Sequence, residues 1–232
     1  MKIKLILLLL LSTQIYSQKI GKLAPENGPE IFPPNSWGAD IMFGEGGFGL
    51  GIFYKKDFNI NLSGTLDFSI SETKDEREID YYDPYWGTTF TPYKVNRAFL
   101  MPLNAGLQYR IFTESLTGNL RPYISAGVGP TFIVTTPYEE EFFTAFKWAK
   151  MHYGVGGYIG LGGYFGDSKK NLVGINVRYY YTSLFGNGIE NLIYQYRKSF
   201  GQFYISLSIG TMFWFKISLM DLIKISFHFL VN

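Results

Sequence analysis

The sequence contains no cysteine and only two histidines, His152 and His228. The absence of cysteine excludes disulfides, thiolate metal sites, cysteine nucleophiles and a lipid-modified amino-terminal cysteine. With only two histidines, a multi-histidine metal site is nearly excluded. We therefore expect no metal centre, and we also expect neither an organic cofactor nor enzymatic activity.

Neither sign of charge dominates the chain. It has 21 Lys and Arg residues against 19 Asp and Glu residues, and two of the basic residues, Lys2 and Lys4, lie at the very start. Without those two, 19 basic residues face 19 acidic ones. Nucleic acids are bound through clustered positive charge that neutralises phosphates. We therefore expect no nucleic-acid partner.

Long hydrophobic runs are missing beyond the first residues. A bilayer-spanning helix needs about 20 consecutive apolar residues, and no later stretch reaches that length. At the start, a basic pair precedes the apolar run 5–11, and the more polar stretch that follows ends in the small residue Ser17. This order predicts a cleaved N-terminal signal peptide over residues 1–17, with an uncleaved anchor helix as the alternative. A membrane protein of this composition would cross the bilayer as strands.

Glycine and aromatic residues are abundant instead, with 26 Gly, 18 Tyr and 21 Phe. Much of the chain alternates between apolar residues and small or polar ones, which is the pattern of a strand with two different faces. Phe203 and Ile205, for example, alternate with Tyr204 and Ser206. Six segments show the pattern: 60–71, 97–112, 121–135, 151–166, 171–183 and 200–215. The proline-rich residues 18–36 predict an extended periplasmic leader.

Two further segments complete an even number of strands. The segment 47–56 has its apolar residues at even positions and 37–44 has them at odd positions, so the apolar face switches across 44–47. We expect a tight hairpin there, which gives eight strands. The alternative is one long strand, 37–56, with a β-bulge. Single-chain bacterial barrels have an even strand number, which favours the hairpin.

The connections between these segments alternate in length. Short ones lie near 57–59, 113–120 and 167–170, and long ones span 72–96, 136–150 and 184–199. Short periplasmic turns and longer extracellular loops are typical of outer-membrane barrels. The apolar faces are too bulky for the interior of an eight-stranded barrel, so we expect them to face lipid. The sequence predicts an all-β fold, an eight-stranded antiparallel transmembrane up-and-down β-barrel over 37–215.

Several charged residues share the parity of the lumen. They are Asp40, Asp67, Arg110 and Arg178. Isolated charges in a narrow interior are unfavourable, so we expect these four to pair with one another. Four tyrosines lie on the same faces: Tyr158, Tyr164, Tyr180 and Tyr204. Together the two sets would plug the lumen, and a narrow polar conduit is the alternative.

Three motifs carry a resemblance to a known family. The glycine-rich strands 153–166 and 121–131 are similar to those of the small outer-membrane β-barrel family, the eight-stranded porin-superfamily type. The last strand resembles that family's carboxy-terminal assembly signal through Ser208, Gly210, Phe213 and Phe215. The resemblance implies a bacterial outer-membrane location, a bilayer with lipopolysaccharide as surroundings, and insertion by the barrel-assembly machinery.

The family signal usually ends the chain, whereas here residues 216–232 follow it. This tail is apolar and no turn signal precedes it. Three interpretations remain open: an additional strand, a periplasmic helix or a non-native extension.

The long loop 72–96 is acidic and aromatic. We expect surface contacts from six of its residues: Asp80, Tyr81, Tyr82, Asp83, Tyr85 and Trp86. Its carboxylates match no EF-hand spacing, although they could bridge divalent cations to lipid headgroups, and a merely solvated loop is the simpler alternative.

Three functions are compatible with this sequence. The first is a non-catalytic envelope protein with a structural or surface-interaction role through its long extracellular loops. The second is a narrow pore or carrier for small or apolar molecules. The third is a lipid A acyl-modifying enzyme, for which His152 lacks a well-placed serine partner.

Overall fold

The computed structural model describes residues 31–74, 77–113, 120–166 and 168–214. Its elements are, in chain order, β1 (Asn35–Gly44), β2 (Gly47–Asp57), β3 (Leu62–Thr73), β4 (Tyr81–Asp83), β5 (Thr88–Phe90), β6 (Asn96–Arg110), β7 (Leu120–Pro137), helix α1 (Phe142–Ala145), a 3₁₀ turn (Phe146–Trp148), β8 (Lys150–Phe165), β9 (Asn171–Leu184), β10 (Ile189–Leu192), β11 (Gln195–Arg197) and β12 (Ser199–Phe213). The signal peptide, most of the leader, Phe215 and the tail 216–232 lie outside the described residues. Within the described ranges, no helix has the length and apolar character required to traverse a lipid bilayer.

The eight long strands form one closed antiparallel barrel, in the order β1-β12-β9-β8-β7-β6-β3-β2, with β2 paired back to β1. This confirms the predicted fold class. Gly44 pairs with Gly47 across a two-residue turn, and Gly47 has a φ of 122°, which a side chain would strain. The predicted hairpin is therefore confirmed, and the alternative of one bulged strand over 37–56 is wrong.

The strand register fixes the tilt of the barrel. Starting at Gly44 in β1, we followed the paired residues from strand to strand around the barrel. The last residue of this path, Asp57 in β2, lies beside Pro34, because its amide donates to Pro34 O. The path therefore returns to the first strand ten residues before Gly44, and this offset is the stagger of the barrel. The path runs through Tyr204, Arg178, Gly160, Ser125, Gln108, Ser63 and Asp57. A stagger of that size over eight strands tilts them by about 45°. A ten-residue strand such as β1 then rises roughly 23 Å, which matches an apolar band of about 25 Å.

Along the barrel strands, side chains alternate between the lumen and the outside. On β12, Tyr204, Ser206 and Ser208 are buried, whereas Phe203 and Ile205 are more than half exposed. The same alternation gives the barrel an apolar outer surface from these residues: Leu50, Ile52, Leu66, Leu107, Ile124, Val128, Ile159, Leu161, Ile175, Val177, Ile205 and Ile209. Such a surface is stable next to lipid acyl chains, and the closed ladder leaves no unpaired strand edge in the bilayer.

The two ends of the barrel differ. The short connections after β2, β6 and β8 lie at one end, which we call the short-turn end, and the loops after β3, β7 and β9 lie at the other, the long-loop end. β7 has 18 residues and β1 has 10. At this tilt the difference is roughly 19 Å, so β7 and its neighbours project past the bilayer.

Candidate functional site in the lumen and the loops

A buried charge network lies at mid-height in the lumen. The Arg178 guanidinium lies 4.0 Å from an Asp40 carboxylate oxygen and 3.7 Å from one of Asp67. Ser208 Oγ donates to Asp40 at 2.5 Å, and Asn104 Nδ2 donates to Asp67 at 3.2 Å. The structure thus brings together three of the four charged residues that the sequence singled out, with one cation between two anions.

Tyrosine rings close the lumen around this network. The Arg178 guanidinium lies 4.7 Å from the Tyr158 ring centroid, and its NH1 donates to Tyr180 Oη at 3.2 Å. The Tyr180 and Tyr204 rings meet edge to face at 5.7 Å. Tyr204 Oη in turn donates to Gln202 at 2.7 Å. These contacts fill the cross-section, which a barrel of eight strands leaves only wide enough for side chains.

Arg110 lies away from this network, at the short-turn end, where it is half-buried. The buried cations of that end are Lys55 and Arg121. Lys55 Nζ pairs with Asp57 at 2.7 Å, and the Arg121 guanidinium lies 3.9 Å from the Phe32 ring centroid. Phe32 belongs to the leader, so the leader reaches into this mouth of the barrel.

Sequence reasoning missed Lys55, although the parity recognised for the segment 47–56 already places it on the lumen face. Odd positions of β2 point inward, as buried Phe53 does. Carrying that parity two residues further would have found Lys55. The fourth tyrosine of the predicted set, Tyr164, also lies here, with Lys55 Nζ 5.3 Å from its ring centroid.

The long loops are joined into one cap at the long-loop end. Val95 N donates to Asn191 O at 2.8 Å, and Ile193 N donates to Tyr93 O at 3.0 Å. These bonds connect the loop after β3 with the β10–β11 hairpin. Beneath them an apolar cluster fills the barrel mouth: Ala98, Leu100, Ile133, Leu184, Ile189 and Phe200. The lumen is therefore filled with side chains at this end as well.

A buried ion pair holds the cap from inside. Lys94 Nζ lies 2.7 Å from Glu78 Oε2, and the two side chains are only 4% and 1% exposed. Lys94 Nζ also lies 5.2 Å from the ring centroid of Tyr138, in the loop after β7. Sequence spacing could not indicate this pair, because nothing local links residues 78, 94 and 138.

The six predicted contact residues lie on and beside the β4–β5 hairpin. Asp83 accepts hydrogen bonds from the backbone amides of Tyr85 and Trp86, at 2.8 and 3.3 Å. Its carboxylate therefore stabilises the turn. Asp80 accepts from Thr91 Oγ1 at 2.6 Å and from Lys74 Nζ at 3.2 Å. These bonds, the one from Thr91 above all, lower the pKa of Asp80.

The aromatic residues of this hairpin point outward. Tyr85 is 84% exposed and Trp86 is 73% exposed, and their rings meet edge to face at 5.1 Å. Tyr82 is also exposed, and Tyr81, about half of which is exposed, stacks on Phe90 with ring centroids 6.3 Å apart. The carboxylates of the predicted contact set are thus occupied within the loop, and the rings are what the hairpin displays.

Two other tyrosines in the cap, Tyr93 and Tyr194, have a left-handed backbone. Their φ angles are 62° and 61°. Each is the third residue of a four-residue turn, a position that favours glycine when φ is positive. They are 75% and 90% exposed. Left-handed backbone disfavours a bulky side chain by roughly 1–2 kcal/mol, and no sequence pattern marked either residue.

The predicted assembly signal lies on the strand that closes the barrel. Ser208 points into the lumen network, and Phe213 ends β12 half-buried. Gly210 lies opposite Gly38, and a Cβ on Gly210 would collide with the backbone carbonyl of Trp37. The close approach of β12 to β1 therefore needs glycine here. Recognition of these residues by an assembly machinery stays a prediction.

An apolar outer band, a lumen packed with polar and aromatic side chains, and a closed eight-stranded ladder define the class of this protein. It is a small transmembrane β-barrel of the kind found in bacterial outer membranes.

No family model and no curated protein matches the chain. Among solved structures it is similar to Neisserial surface protein A, at 12% identity and a TM-score of 0.49, covering 79% of this chain and 100% of that one. It is also similar to the N-terminal β-barrel domain of Pseudomonas aeruginosa OprF, at 16% identity and a TM-score of 0.41, covering 76% and 95%. It is also similar to Ail, the attachment invasion locus protein of Yersinia pestis, at 13% identity and a TM-score of 0.38, covering 78% of this chain and 99% of that one.

Proposed function

We propose that this protein is a non-catalytic outer-membrane protein that acts by surface contact through the cap formed by its long loops. The observation that carries the proposal is the pair of strained, exposed tyrosines, Tyr93 and Tyr194, held side by side in adjacent loops. Strain of this kind persists where the surrounding structure imposes it, and it concentrates at functional sites.

The filled lumen favours a function in surface contact over a function as a pore that conducts molecules through the barrel. Side chains occupy it at mid-height around Arg178, at the long-loop end around Phe200 and at the short-turn end around Tyr164. A conducting pathway would need these layers to move, and the central layer is fixed by charge as well as by packing. The narrow pore is therefore the less favoured hypothesis.

The chemistry of the cap points to a partner bound by stacking. The carboxylates of Asp80 and Asp83 already accept hydrogen bonds within the loop, while Tyr85, Trp86 and Tyr194 project freely. Tyr and Trp rings are the side chains most enriched at contact hot spots, because each buries a large area with little loss of conformational freedom. We expect such a contact to be only weakly sensitive to salt.

Attachment of whole cells tests the proposal. Cells that express the protein should adhere to at least one surface in a panel of immobilised glycans and matrix proteins more than cells without it do. The triple variant Tyr85→Ala, Trp86→Ala, Tyr194→Ala should lose that difference. Phe112→Ala is the matched control, because Phe112 is exposed with a φ of 57° but lies at the short-turn end. No adhesion by wild type to any surface would contradict the proposal.

Two measurements address the competing functions. In planar bilayers the refolded protein should give no reproducible single-channel steps, and such steps would instead support the narrow pore. The lipid A mass spectrum should be the same with and without the gene. His152 contacts Thr135 Oγ1 at 3.2 Å on the barrel wall, and a changed spectrum would direct attention to it as a catalytic residue.

A further inference from the structure

The loop after β7 folds against the outside of the barrel wall. Phe99 faces outward, since both of its neighbours in β6 are buried in the lumen. Helix α1 and the 3₁₀ turn place Phe142 and Phe146 on the Phe99 ring, with centroid distances of 6.0 and 5.8 Å. This part of the loop therefore leaves the barrel mouth and covers its flank.

Further contacts fix the segment in that position. Arg97 NH1 donates to the backbone carbonyls of Pro137 at 3.3 Å and Glu140 at 3.1 Å. The same guanidinium lies 5.0 Å from the Tyr138 ring centroid. Ala145, in the middle of the segment, is fully buried. One side of the segment is thus attached to protein, and the other side faces the surroundings of the barrel.

The outer side of this segment is almost entirely aromatic. Phe143 is 78% exposed, Trp148 is 65% exposed, and nearly half of Phe142 and Phe146 is exposed as well. The Phe142 ring meets the other two Phe rings edge to face at 5.3 and 5.4 Å, so the rings form one continuous surface. A contiguous apolar surface of this kind marks a place of contact with a protein or a membrane.

The position of the surface identifies which of the two it contacts. On the same wall, Phe132 and Tyr153 face outward with ring centroids 5.7 Å apart, and Met151 beside them is more than half exposed. These residues continue the lipid-facing band upward to the segment. Aromatic side chains concentrate at that level in barrels, where the acyl chains meet the headgroups. Lys147 is exposed between Phe146 and Trp148, and a lysine there can extend its ammonium to headgroup phosphates.

We infer that residues 142–148 form an interfacial anchor in the lipid leaflet at the long-loop end. The aromatic side chains enter the boundary between acyl chains and headgroups, and Lys147 contacts the phosphates. The partner is bilayer lipid, and the anchor is separate from the contact surface of the cap. Because the segment is attached to one wall only, it fixes both the depth of the barrel and its tilt in the membrane.

Tryptophan fluorescence tests this inference. The full chain carrying Trp37→Phe, Trp86→Phe and Trp214→Phe keeps Trp148 alone, and a matched chain keeps Trp86 alone in the exposed β4–β5 hairpin. Both are refolded into phosphatidylcholine vesicles with bromine either near the headgroup or near the chain end, and folding is verified by heat-modifiable gel migration. Trp148 should emit at shorter wavelength than Trp86 and lose intensity, more with the shallow bromine than with the deep one. Equal, aqueous-like emission from both without quenching would overturn the inference.

The Phe99→Ala variant tests whether the wall positions the anchor. In the chain that keeps Trp148 alone, removal of the Phe99 ring should move the emission toward that of Trp86 and reduce quenching, while the barrel still shifts on heating. Unchanged quenching in this folded variant would contradict the role given to the wall.

Discussion

Tyr93 and Tyr194 are neighbours in the cap, each at the third position of a turn, each with a positive φ near 60° and each exposed to solvent. They belong to different loops, and the amide of Ile193 donates to the carbonyl of Tyr93 at 3.0 Å. Neither ring is required to fill the interior. The protein therefore maintains an unfavourable positive φ at two neighbouring residues whose side chains contribute to the surface of the cap and not to its interior.

The first prediction concerns this strain. Tyr194→Gly should raise the free energy of unfolding by about 1 kcal/mol, because glycine adopts a positive φ without a steric penalty. Tyr194→Val should lower it, since a β-branched residue fits that conformation worst. Urea-induced unfolding in lipid vesicles measures both. A destabilised glycine variant would show that the Tyr194 ring has a packing role in the folded cap.

The second prediction concerns the ion pair beneath the cap. Lys94→Met leaves the Glu78 carboxylate buried without this cation, which destabilises its surroundings by roughly 3 kcal/mol. The loss should appear locally, as faster proteolysis of the loops, while the barrel keeps its heat-modifiable migration. The double variant Lys94→Met, Glu78→Leu should recover most of the protease resistance. If the single variant resists protease as well as wild type does, the pair does not hold the cap.

The third prediction concerns the lumen. Arg178→Met leaves Asp40 and Asp67 facing each other in a buried site, and we expect a loss of about 3–5 kcal/mol in the free energy of unfolding. Adding Asp40→Asn and Asp67→Asn to that variant removes the repulsion and should restore a large part. The urea midpoint of each refolded variant reports the effect. Equal midpoints for Arg178→Met and wild type would argue against a network.

The fourth prediction is a pH dependence in the β4–β5 hairpin. Thr91 and Lys74 hold the pKa of the Asp80 carboxyl below its ordinary value of 3.8. A group with a lowered pKa in the folded state stabilises that state above the unfolded pKa, and the contribution is lost as pH falls through the folded pKa. The hairpin should therefore be fully stable at neutral pH and loosen only in strong acid. NMR titration should give Asp80 a higher pKa in Thr91→Val than in wild type, and identical values would exclude the Thr91 hydroxyl as the cause.

The sequence predicted the barrel well because the pattern that identifies a barrel strand involves only residues close together in the chain. Alternation of apolar and small polar residues is visible in any strand, and the switch of parity between Phe43 and Phe48 was enough to separate the first hairpin. The volume of the side chains on the two faces then indicated which face points outward. Each of these inferences needs only neighbouring residues and the known width of an eight-stranded barrel.

The details of the site were less accessible because they depend on pairs far apart in the chain. Arg110 and Arg178 share the lumen parity, but the register places them at different heights, so only Arg178 reaches Asp40 and Asp67. The short hairpins β4–β5 and β10–β11 lack the length that makes a period visible. Lys94 reads as an ordinary loop lysine until the fold brings Glu78 to it.

The two-residue turn after β1 gives the barrel an uneven rim. Gly44 and Gly47 end their strands close to the lipid, while β7 and β8 continue well past it and support the cap. No long loop joins β1 to β2, so nothing rises above the barrel between these two strands. The wall of the barrel is therefore shortest at β1 and β2 and tallest at β7 and β8, which lie opposite them in the strand order.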